Sequence, residues 1–84
     1  MEQFETGMMA RSKSGHDAGK VYVITKVEEA YVYLVDGKVR TLDKPKKKKK
    51  KHVQLIKESF DIQGATDVVI KRWIKIWNKE DNQN

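Results

Sequence analysis

The chain has 84 residues, with 18 lysines and arginines against 12 aspartates and glutamates and a formal charge of +6. That is material for one small domain, which buries only about 60% of the surface its unfolded chain exposes; without cysteine, neither disulfides nor thiolate metal sites can reinforce it. The first residues are polar and acidic rather than a basic start to a hydrophobic leader, and no apolar run approaches the roughly 18 residues of a membrane span, so a cytoplasmic protein with a polyanionic partner is the expectation.

In chain order, residues 1–6 read as a loose N-terminus. Residues 7–11 form a first strand, with Met8 and Ala10 on one face and Met9 and Arg11 on the other. The loop at 13–18, with Gly15, Asp17 and Gly19 around it, turns the chain into a second strand at 20–27. There Val21, Val23, Thr25 and Val27 alternate with Tyr22, Ile24 and Lys26. Gly19 stands where the turn closes, a place for positive φ or for close approach of another backbone. After Glu28 and Glu29, a third strand at 30–35 puts Val32 and Leu34 on one side and Tyr31, Tyr33 and Val35 on the other.

Asp36-Gly37 predicts a type I′ hairpin turn into a fourth strand at 38–42, and Lys44-Pro45 then interrupts pairing. The six lysines at 46–51 repel one another and are expected to form a mobile, hydrated arm. A fifth strand at 52–56 turns Val53 and Leu55 inward and Gln54 outward. The period then changes: Thr66 caps a helix, Asp67 lies in its first turn, and Ile70, Trp73, Ile74 and Trp77 recur at helical spacing. Lys71, Arg72, Lys75 and Lys79 fill the other side. The helix is expected to end near Asn78, leaving 80–84 as a flexible tail.

Five short strands joined by tight turns point to a small sheet that curls to close on itself. The expected architecture is mostly β, an SH3-like barrel over 7–57 that includes the basic loop 44–51, followed by a linker and an amphipathic C-terminal helix over 58–79. Between Lys38 and Lys57 there are ten basic residues and one acid, a surplus larger than the net charge of the whole chain. The protein is therefore a nearly neutral scaffold carrying one intensely basic segment.

The run from Gly15 to Val27, a basic loop with a glycine-lysine pair leading into alternating hydrophobics, resembles a KOW motif. Two further stretches extend the likeness: the basic run leading into His52-Val53-Gln54-Leu55-Ile56, and Asp61-Ile62-Gln63-Gly64-Ala65-Thr66-Asp67 at the opening of the helix. Together they resemble the L-fourteen-e family of archaeal and eukaryotic large-subunit ribosomal proteins, and small bacterial KOW proteins related to it. The resemblance implies an SH3-like barrel with a helical extension, an RNA-binding, ribosome-associated role in translation, and ribosomal RNA as partner.

Two segments are candidate RNA contacts. In the loop these are Arg11, Lys13, Ser14, His16 and Lys20, suited to phosphates or a bulged base; in the basic segment they are Lys44, Lys46, Lys47, Lys48, Lys49, Lys50, Lys51 and His52. Lysine lacks the bidentate fork of arginine, which suits the tract to electrostatic capture more than to oriented recognition. Tyr31 and Tyr33 share a strand face and either stack bases or pack beneath the helix, the latter being also the duty expected of Trp73 and Trp77. His16 and Asp17 are adjacent, but no nucleophile or metal-ligand cluster accompanies them, so no enzymatic activity and no cofactor are expected. The rival readings are a protein-interaction module that takes an acidic segment of a partner and, for the helix, docking on a membrane surface. The free protein is expected to be a monomer.

Overall fold

The computed structural model describes residues 3–81. The strands are β1 (Met8–Ser12), β2 (Val21–Val27), β3 (Tyr31–Val35), β4 (Lys46–Lys49) and β5 (Val53–Ser59), followed by the helix α1 (Asp67–Asp81). All pairings are antiparallel, in the order β4-β3-β2-β1-β5. A 3-10 turn of three residues, Lys50–His52, carries the chain from one end of that order to the other. In a flat sheet those terminal strands would stand about 19 Å apart, whereas a turn rising about 2 Å per residue spans far less. The sheet therefore curls into the small SH3-like barrel that the strand pattern predicts.

Alternation divides the strand residues between two cores. Ala10, Tyr22, Ile24, Val32, Leu34, Val53 and Leu55 fill the inside of the curled sheet. Met9, Val21, Val23 and Val35 face outward and are covered by Ile70 and Ile74 of α1. The expected faces of β1 and β3 are observed. In β2 the register shifts between Ile24 and Lys26. This extra residue reverses the faces, so Val27 packs with the inner core rather than on the side of Val21 and Val23.

The helix is the one predicted by the apolar stripe, entered through Thr66, whose Oγ1 accepts the Val69 amide at 3.3 Å. It runs past Asn78 to Asp81, so residues 80 and 81, expected in the tail, are helical; residues 82–84 lie outside the described residues. Trp73 and Trp77 pack against the outer core, and Trp73 stacks on Phe60 with centroids 4.6 Å apart and planes 8° from parallel. Trp73→Ala is expected to lower stability by about 2 kcal/mol, combining lost apolar burial with the lost stack. Urea unfolding should show it as a lower midpoint at unchanged slope. At the other end, Phe4 packs against the inner core, so the expected loose N-terminus is already ordered there; Met1 and Glu2 lie outside the described residues.

Two expectations are corrected. Residues 38–42 form no strand, and Asp36-Gly37 is not a type I′ turn, because only Gly37 has positive φ. The Asp36 carboxylate instead accepts the amides of Lys38, Val39 and Arg40 at 2.8–3.0 Å, which removes donors that a ladder would need. The resulting loop is pressed onto the start of α1. A Cβ on Gly37 would fall on the Asp67 carbonyl oxygen, and the Leu42 amide donates to Asp67 Oδ1 at 2.8 Å. The second correction is the lysine arm. Lys46–Lys49 is the fourth strand, paired residue for residue with β3.

Candidate nucleic-acid interface

A strand of four lysines needs an explanation, since like charges repel. Register supplies it. Lys46 and Lys48 stand opposite Leu34 and Val32, on the side of the inner core, while Lys47 and Lys49 stand opposite Tyr33 and Tyr31. The inner pair meets Asp17: Lys46 Nζ lies 3.1 Å from its Oδ2 and Lys48 Nζ 3.1 Å from its Oδ1. Of the outer pair, Lys47 meets aromatic rings, its Nζ 4.5 Å from the Tyr31 centroid and 5.8 Å from that of Tyr33, while Lys49 is exposed. Two of the four lysines are thus neutralised by one carboxylate and a third is seated on π faces, and the tract pairs as a strand.

Asp17 is held by the loop that joins β1 to β2. The Gly19 amide donates to the Ser12 carbonyl at 2.8 Å and the Ser12 amide to the Lys20 carbonyl at 2.9 Å, closing the loop, with φ at Gly19 at +90°. A Cβ there would meet nothing within 4 Å, so the dihedral angle and not crowding calls for glycine. Within this frame Asp17 is 6% exposed. Ser12 Oγ donates to its Oδ1 at 2.9 Å and the Tyr22 hydroxyl to its Oδ2 at 3.2 Å. Burial pushes the Asp17 carboxyl up, but the Ser12 hydroxyl and the two ammonium groups together outweigh it and hold the group well below the ordinary carboxylate range. Burial first, and the adjacent carboxylate second, push the Tyr22 phenol up to about 12.

This knot joins the two segments singled out in the sequence. Lys48 Nζ donates to the Ser14 carbonyl oxygen at 3.0 Å as well as to Asp17, and the Lys13 amide donates to the His52 carbonyl at 2.9 Å. The loop and the lysine-rich segment therefore share one surface. His16, Lys20 and Lys46 line a depression of about 180 Å³ together with Arg40 and Val39. Lys49, Lys50 and Lys51 line an open groove of about 490 Å³ with Tyr31. Lys13, His16, Lys20, Lys44, Lys47, Lys49 and Lys51 are exposed, although Lys47 also lies 3.7 Å from Glu28.

Other candidates stand differently. The Arg11 guanidinium lies over Trp77, 5.6 Å from the ring centroid, on the side of the helix; on β1 it alternates with Ser12, the side chain that faces Asp17. Lys44 belongs to the loop before β4, its amide donating to the Thr41 carbonyl at 3.0 Å. Lys50 sits over Phe4 at 5.6 Å. Tyr31 and Tyr33 do not pack beneath α1, whose contacts are with the opposite stretch of sheet; they form the half-exposed bed of Lys47. The sequence marks Asp17 as a turn residue beside His16, and nothing local marks Ser12 or Tyr22 as part of the site. The available signal was a lone acid inside a basic loop, which needs cationic partners once the loop is buried.

No protein-family model matches the chain, and no curated protein matches it. Among the described residues no helix is long and apolar enough to cross a membrane.

Proposed function

We propose that this chain is a non-enzymatic RNA-binding protein that grips the phosphate backbone of a structured RNA, ribosomal RNA being the expected class. The observation that carries the proposal is the Lys48 ammonium bound at once to the Ser14 carbonyl and to Asp17, which makes the glycine-bounded loop and the lysine strand one rigid basic surface. The exposed lysines around it supply counterion release, and the groove at Tyr31 offers an aromatic face on which an unpaired base stacks. The likeness of residues 15–27 to a KOW motif points the same way. A rigid surface of this kind reads the shape of an RNA rather than its base edges.

Fluorescence anisotropy with a structured ribosomal RNA fragment over a salt series tests it. The logarithm of affinity should fall with the logarithm of salt at about 0.7 to 0.9 per phosphate contact. Equal affinity for polyglutamate and RNA would instead favour a partner protein with an acidic segment, and no binding in dilute buffer would end the proposal. Tyr31→Ala should cost about 1 kcal/mol of affinity for RNA with unpaired bases and little for a fully paired duplex.

A further inference from the structure

A second basic groove, separate from the lysine strand, runs between α1, the loop after β3 and the end of the loop before β2. It has a volume of about 590 Å³. Lys20, Lys38, Lys71 and Lys75 line it from three different parts of the chain, and its apolar lining includes Val21, Ile74 and Val39. Among the described residues none of these four lysines is in an ion pair. The acid in the lining is Asp36, whose Oδ1 already accepts the amides of Lys38, Val39 and Arg40. Val39 is 69% exposed at this site, an unusual place for a valine that the fold does not bury.

We propose that this groove is a second phosphate-binding track for the same RNA, carrying its backbone from the loop at 13–20 onto the helix. The inference rests on the function proposed above and extends it to residues outside the basic segment. Continuity is the first argument. The groove shares Lys20, Asp36 and Val39 with the depression lined by His16, Arg40 and Lys46, so the two adjoin and Lys20 faces both, between the Asp17 knot and α1. Spacing is the second. Lys71 and Lys75 lie one turn apart on the helix and rise about 6 Å along its axis, a step comparable to that between successive phosphates of one strand. Chemistry is the third. Four unpaired ammonium groups neutralise phosphates without reading bases, and Val39 offers an apolar contact to the sugar or base edge between them.

Two paired variants test the track. Lys71→Gln with Lys75→Gln removes two charges from the groove; Arg72→Gln with Lys57→Gln removes two exposed charges outside it. Binding of a structured ribosomal RNA fragment is measured for both over a salt series, with thermal melts to establish that each is folded. The first variant should bind about tenfold more weakly, with a salt slope smaller by about 0.7 per lysine, and the second should change less than twofold. In the unaltered protein, bound RNA should protect Lys71 and Lys75 from acetylation. Equal losses in the two variants, or no loss and no protection, overturn the track while leaving RNA binding intact. If the unaltered protein binds no RNA, the function itself falls and the track with it. Polyglutamate binding with the same dependence on Lys71 and Lys75, in the absence of RNA binding, assigns the groove to a protein partner instead.

Discussion

Replacing Lys47, Lys49 and Lys51 by glutamine is expected to weaken binding to structured RNA about a hundredfold at physiological salt, and to lower the salt slope by about 2, while leaving the thermal midpoint nearly unchanged. These three side chains are exposed, and the cation–π contact and surface ion pair of Lys47 contribute little to the fold. Replacing Lys46 and Lys48 by glutamine should do the reverse. They bond to Asp17, and their loss leaves a carboxylate on a side chain only 8% exposed without a counter-charge. Stability should fall markedly, and affinity less than in the triple variant. Anisotropy and thermal unfolding on both proteins check the split. A tract acting only as an unstructured polycation would instead lose affinity equally at all five positions.

Asp17→Asn is expected to destabilise the protein by about 3 kcal/mol at neutral pH, the sum of two lost ion pairs and a disturbed pair of charge-assisted hydrogen bonds. For a domain of this size that is a fall of about 4–8 °C in Tm for each kcal/mol. The pH dependence is a sharper test. The folded carboxyl titrates below its unfolded counterpart, so the unfolded chain takes up the proton first as the solution is acidified. The stabilisation by Asp17 is complete above the ordinary carboxylate range and is lost progressively from about pH 4 downward. The difference between unaltered protein and variant should therefore be largest at neutral pH and shrink below pH 4. A difference that stays constant through acid would show that the carboxylate charge is not what the lysines require. Tyr22 adds an alkaline limit. Its phenol is pushed up to about 12, so above about pH 10 the unfolded chain releases this proton more readily and stability falls.

Much of the architecture was legible in local pattern. The alternation at Tyr22, Val23 and Ile24, and the helical recurrence of Ile70, Trp73, Ile74 and Trp77, state which side of each element must leave water, and both are found as read. Features decided by distant partners were not legible. A run of lysines looks mobile when only its own repulsion is considered; the carboxylate that turns it into a strand lies 31 residues before Lys48. Asp36-Gly37 carries the local chemistry of a tight hairpin, yet the Asp36 side chain takes three amides for itself and Gly37 is pressed onto α1. The candidate site divides in the same way. That the loop at 13–20 and the lysine tract are both basic is legible in composition, whereas their meeting through Asp17 and Ser14, and the division of the tract into inward and outward lysines, depend on distant contacts and on register with β3. Arg11, grouped with the loop by proximity in sequence, belongs with Trp77 because alternation on β1 sends it to the other face.

The strand that ends the hydrogen-bonded order at β4 is made wholly of lysine. A second molecule that tried to add its own β4 to that ladder would set ammonium groups side by side across the new pairing, where opposed like charges are unfavourable. The lysines proposed to hold phosphates would thus also discourage pairing between copies through this edge, and concentrated protein should not form cross-molecule sheets by adding β4 to β4.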